Sequence, residues 1–228
     1  MPNRNLVRLG GVFGLLAVVA MIPAYLVGTP DTPGSPAAAS SYFEAGLDTF
    51  VFSNGVIPLF HVFFFILFLG VLYGMLRRAE DSVQGGGSGG GLPAAALAGG
   101  IVFVVLEAAG FAAEILYPAT LQRFGDFDPS APFVLASLTL STWLYHFCQV
   151  GASALILVSS LIALGTGVLP QWLALAGFVV AVLTLLHFLF PLLAALVGLL
   201  WIAAVSVLMV LGKVGPTTSE RVRNVGYG

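Results

Sequence analysis

Five ionisable side chains fall inside apolar stretches of this 228-residue chain: His61, Glu107, Glu114, His146 and His187. They include every histidine the chain has. Such groups are costly in apolar surroundings, which makes them candidates for holding a proton, an ion or a cofactor. Glu107 and Glu114 are seven apart, so on a helix they share one face, with Gly110 between them. Thr139, Thr142, His146, Gln149 and Ser153 follow one another at steps of three and four, the period of a helical seam. That seam is expected to face protein rather than lipid. Glu107 should then meet His146 at the same depth, with Thr142 and Gln149 in the same polar cluster. A carboxylate at that depth needs a partner, or it stays protonated. A purely structural Glu107–His146 pair therefore stands beside a proton-relay, ion-path or ligand role.

His61, Glu114 and His187 sit nearer the outer ends of their segments and are expected to approach one another. Their types suit a metal ion, and His61 with His187 is the best-matched pair of axial ligands for a haem. The plainer readings are that Glu114 and His187 snorkel to the interface and that His61 bonds a neighbouring helix. Other chemistries lack their residues. No G-x-S-x-G elbow exists, the one match to the pattern being Ser88 within the glycine-rich run, and Lys213, the one lysine, lies at the inner end of the last apolar segment. Cys148 is alone, so no intrachain disulfide forms, and it reads as a small buried hydrophobe.

The elements that must position these groups follow from composition. Hydrophobic residues make up 59% of the chain and charged ones 8%, against about a quarter charged in a soluble domain. Mean hydropathy is +1.04. This excludes a soluble enzyme, a nucleic-acid binder and a disordered chain, and leaves an all-α, polytopic transmembrane bundle with the lipid bilayer as its main partner. Six segments are long enough to span, over 9–27, 56–76, 92–116, 134–164, 168–189 and 192–211. The uncharged stretch Ala131 to Leu164 would be roughly 50 Å long as one helix, so its first turns are expected to project into water. Putting the N-terminus inside gives the inner side Arg4, Arg8, Arg77, Arg78, Lys213, Arg221 and Arg223, and the outer side Arg123 alone. That bias predicts both termini inside, in a cytoplasmic membrane. Segment one also has features of a signal peptide: Arg4 and Arg8 before an apolar run, and Ala37-Ala38-Ala39 beyond it. An outer loop over 29–54 is expected to contain a short interfacial helix near Ser41 to Asp48. The inner loop, 79–91, carries the Gly85-to-Gly91 run and reads as a flexible tether. Gly10/Gly14 and Gly70/Gly74 permit close helix contact, within the chain or in a homo-oligomer.

Two stretches carry a resemblance: Arg8-Leu9-Gly10-Gly11 with Pro23 later in the segment, and Leu169-Pro170-Gln171-Trp172-Leu173-Ala174 followed by Gly177. With them the chain resembles a domain-of-unknown-function family of small six-helix prokaryotic membrane proteins. The resemblance implies topology and no site residues, and the glycine-rich inner loop departs from it. Three function classes follow from the residues. One is a small transporter or proton- or ion-coupled carrier using Glu107 and His146. The second is a haem- or metal-binding redox protein using the histidines. The third is an accessory subunit with partners in a larger membrane complex.

Overall fold

The computed structural model describes residues 4–27, 35–83, 91–125 and 131–215. These form α1 (Arg4–Val27), α2 (Pro36–Val51), a π-helical turn (Phe52–Val56), α3 (Ile57–Val83), α4 (Gly91–Glu114), α5 (Leu116–Phe124), α6 (Ala131–Thr166), α7 (Gln171–Leu185) and α8 (Pro191–Leu211). No strand occurs among the described residues. Five helical runs are long and apolar enough to cross a membrane: Arg4–Val27, Gly46–Val83, Gly91–Glu114, Pro132–Thr166 and Pro191–Leu211. Large apolar side chains such as Phe60, Phe63, Val105, Leu200 and Val207 face outward from them, as lipid requires and water does not tolerate.

The six-span expectation needs correction at α7. That helix has 15 residues, about 22 Å, where the hydrocarbon core takes about 30 Å. Local chemistry ends it early. The Thr184 hydroxyl bonds back to the Val180 and Ala181 carbonyls, and Pro191 disfavours helical backbone at the residue before it. Phe190 accordingly takes φ −138° and ψ 65°. A turn held by His187 N–H to Thr184 O and Leu189 N–H to Leu186 O fills the gap.

Other boundaries moved for equally local reasons. The expected outer loop holds a full helix, α2, started by Ser35, whose hydroxyl accepts from the Ala38 N–H at 3.3 Å. It kinks at Gly46 and runs through the π turn into α3. α3 continues to Val83, past the expected end at residue 76, while the glycine run at 85–90 lies outside the described residues, as do Arg221 and Arg223. α4 stops at Glu114 because Pro118 has no N–H to continue its ladder, and α5 begins after Ile115, whose φ −85° and ψ −2° interrupt the helix. α6 is one helix of 36 residues, as its lack of turn signals implied.

The six long or apolar helices close into a ring in chain order. α1 packs on α3, α3 on α4, α4 on α6, α6 on α7, α7 on α8, and α8 back on α1. Neighbours run antiparallel, so α1 begins where α8 ends: a Cβ on Gly212 would lie 3.2 Å from Arg4 Nη2. The guanidinium thus sits at the carbonyl end of α8, where a cation is favoured. α4 and α6 touch backbone to backbone. A Cβ on Gly151 would come within 2.5 Å of Phe103 N, and one on Gly99 within 2.9 Å of Gly151 O. A large core fills the ring, from Val7 and Phe65 through Leu155 and Val205. A second, smaller core of Phe43, Phe50, Tyr117, Val134 and Leu138 lies where the first turns of α6 meet α2 and α5. This cap stands at the ring end opposite Arg4, and Gln122 Nε2 donating to Asp48 Oδ1 at 2.9 Å ties its two short helices together.

Candidate functional site

The centre of the ring holds a histidine–carboxyl pair. His61 Nε2 lies 2.8 Å from Glu107 Oε2, and His61 Nδ1 lies 2.9 Å from the Ala17 carbonyl oxygen. His61 is wholly buried and Glu107 is 5% exposed. A carbonyl can only accept, so Nδ1 carries a hydrogen. One further proton then occupies the Nε2···Oε2 axis. On Nε2 it makes an imidazolium–carboxylate pair; on Oε2 it makes a neutral imidazole and a neutral acid. The pair has no net charge in either form, which is what low-dielectric surroundings tolerate. Phe65 stacks on the imidazole and Phe103 meets it edge-on, holding the ring against rotation.

Glu114 forms a second centre two turns along α4. Asn54 Nδ2 donates to its Oε1 at 3.2 Å and the Tyr145 hydroxyl donates to Oε2. Glu114 and Asn54 are each 2% exposed. Asn54 reaches inward because the π turn adds a residue to the helix there, a local change common at functional sites. Tyr145 reaches Glu114 because Gly110 has no side chain: a Cβ there would sit 2.7 Å from the Tyr145 ring. The ring lies across α4 between the two carboxyls and packs edge-on against Phe111.

The histidines of α6 and the α7–α8 turn form a third centre. His146 Nδ1 and His187 Nδ1 are 2.9 Å apart. One must donate and the other accept, so the two neutral rings are opposite tautomers. Trp143 lies edge-on to His146, and Phe147 and Phe188 beside them face outward.

The expected partnerships are therefore exchanged. Glu107 pairs with His61 of α3 and not with His146. The Gly99–Gly151 contact sets the rotation of α6, and His146, five positions before Gly151, lies about 140° round the helix from the face on α4. The face that meets α4 is Ser137, Ser141, Tyr145 and Cys148, with Ser137 Oγ donating to Ala113 O. The Thr139-to-Ser153 seam is split. Gln149 and Ser153 are buried, but Thr139 and Thr142 are exposed, because α7, which covers this side of α6, ends at the level of His146. Thr142 bonds its own helix at Leu138 O. Gln149 does share surroundings with Glu107: both line a crevice at the ring centre with Tyr25, Phe103, Gly198 and Ile202. The crevice measures about 10 Å³, room for about one water molecule.

His61, Glu114 and His187 do not converge. Each is engaged in a different centre, so neither the expected metal cluster nor the haem pair His61–His187 is assembled. Among the described residues no three His, Cys, Asp or Glu side chains meet as a metal site requires. Sequence reasoning missed Asn54, Tyr145 and the Ala17 carbonyl. Gly110 between two carboxyls was the available signal for Tyr145; a π turn leaves none. Compared with family models, characterised proteins and solved structures, the chain matches none of them.

Proposed function

We propose that this is a multi-pass protein of the cytoplasmic membrane that handles protons, either conducting them or coupling their movement to a small solute, with His61 and Glu107 as the proton-holding pair. One observation carries the reading: His61 is anchored at Nδ1 to a backbone carbonyl and aims Nε2 at a buried carboxyl. A packing histidine needs one hydrogen bond; this one is fixed so that a single proton has two adjacent homes. Glu114, held by Asn54 and Tyr145, supplies a second carboxyl on the same helix face towards the cap. The small crevice supports proton handling over a bulky bound ligand in this conformation.

The orientation belongs to the same proposal. Arg4, Arg8, Arg77, Arg78 and Lys213 gather at one end of the ring and Arg123 at the other, which supports the basic end facing the cytoplasm. The short α7 then dips across with its turn inside the outer interface. Purified protein reconstituted in liposomes with an entrapped pH-sensitive dye tests the function. An imposed membrane potential should drive proton uptake, and Glu107→Gln should lower it at least tenfold while helix content stays unchanged. Equal uptake by protein and empty liposomes, or unaltered uptake by Glu107→Gln, would overturn the reading.

A further inference from the structure

Two polar side chains deeper in the ring have no partner. Ser160 is wholly buried and Trp201 is 2% exposed, yet neither Ser160 Oγ nor Trp201 Nε1 makes a hydrogen bond. Both point at the same spot on α7. A Cβ on Gly177 would lie 2.0 Å from Ser160 Oγ and 2.9 Å from Trp201 Nε1. The two polar atoms are therefore within about 5 Å of each other, a span that one water bridges with two ordinary hydrogen bonds. An orphaned buried donor and an orphaned buried hydroxyl are each costly, and here both face one glycine.

Their place on the helices connects them to the central pair. The crevice beside Glu107 is lined on α6 by Gln149, Ala152, Leu155 and Ile156, and on α8 by Ile202. Ser160 is one turn beyond Ile156, and Trp201 precedes Ile202. The crevice is polar at its outer end through Tyr25, Glu107 and Gln149, and large enough for about one water. The Ser160–Trp201 pair therefore adjoins the crevice, with Trp201 between Gly198 and Ile202 of its lining and Ser160 on its basic-end side.

We propose that Ser160 and Trp201, meeting at Gly177, bind water and form the inner leg of a proton path along the ring axis, entered from Glu107 through a water held by Tyr25 and Gln149. This rests on the proton-handling reading. Water is the ligand class, and no bond beyond O–H changes. A water accepts one proton from the Glu107 side and passes one on, and the Ser160 hydroxyl accepts from one neighbour while donating its own hydrogen to the next. Trp201 can only donate, so its indole positions the water and does not relay.

Two measurements separate this inference from the reading beneath it. In uniformly 15N-labelled protein, the Trp201 indole N–H should exchange with deuterated water at least tenfold faster than the backbone amides of α8 around it. Trp143→Phe and Trp172→Phe variants assign the signals. Exchange as slow as those amides would overturn the inference whether or not protons are conducted. In the liposome assay, Ser160→Ala and Gly177→Ala should each lower proton uptake at least threefold, the second by driving a methyl group against the Ser160 hydroxyl and displacing it. If Glu107→Gln abolishes uptake and both of these leave it unchanged, the inner leg is wrong and the proton-handling reading stands. If the native protein conducts nothing yet Trp201 exchanges fast, the reading falls and the water site stands.

Discussion

The ring has two imidazole sites, and they are built in opposite ways. His61 is wholly buried, with a backbone carbonyl on one nitrogen, a carboxyl on the other and aromatic rings against its face. His146 and His187 face each other at the edge, where α7 runs out, beside outward-facing Phe147 and Phe188. The first site fixes the tautomer and leaves one proton to move. The second fixes only that the tautomers differ, and either ring can be the donor. Two histidines in apolar segments thus look alike in sequence, yet one is committed and the other adjustable. The difference comes from how many elements close around each.

Substitutions can break or sharpen that contrast. The largest effect is expected from Glu107→Leu, which strands His61 Nε2 in the core. It should cost about 3–5 kcal/mol, as breaking a buried pair does, read by chemical unfolding in detergent micelles. Glu107→Gln keeps a donor for Nε2 and should cost roughly 1 kcal/mol or less. Equal losses for the two variants would show that the pair is packing alone. Gly110→Ala comes next. The new methyl meets the Tyr145 ring, and displacing it should cost about 1–3 kcal/mol as overpacking does. The Tyr145–Glu114 bond should be lost as well, visible as a shift in the carboxyl stretching band by infrared difference spectroscopy. An unshifted band would mean that the ring finds Glu114 by another route.

His146→Ala and His187→Ala should be milder, about 1 kcal/mol each, with the double variant costing less than the sum of the singles because the two share one bond. If either approaches the loss for Glu107→Leu, the distinction between core and edge collapses. Smallest of all is Gly70→Ala. Nothing lies within 4 Å of a Cβ there, so the change should fall within about 0.5 kcal/mol of neutral or be slightly stabilising. A large loss at Gly70 would reveal a partner on that face.

Much of the architecture was legible because lipid imposes a simple rule: apolar runs of sufficient length become helices. The long uncharged stretch of α6 and the basic end of the ring were both readable on that basis. The partnerships were not. Helix order around a ring cannot be read from spacing, and α6 could have turned its Thr139-to-Ser153 seam to any neighbour. What turned it was Gly151 against Gly99, a contact between two residues without side chains. The ends of α7 were equally hidden, since Thr184 and Pro191 act through backbone bonds and leave hydropathy unchanged. Asn54 fell in a segment read as loop, and only the π turn carries it to Glu114.

The closed ring has a consequence for how the protein is made. α1 leaves the ribosome well before α8, yet Gly11 and Gly14 rest on Ser206 and Met209 of α8. At 5–20 residues per second, about 10–40 s of synthesis separate the two. During that interval the glycine face of α1 has only α3 beside it, and lipid or a chaperone must cover the rest. The ring therefore shuts once, late, and a chain stopped before α8 would leave that seam open. Nascent chains arrested before and after Trp201 should differ sharply in crosslinking between α1 and its surroundings.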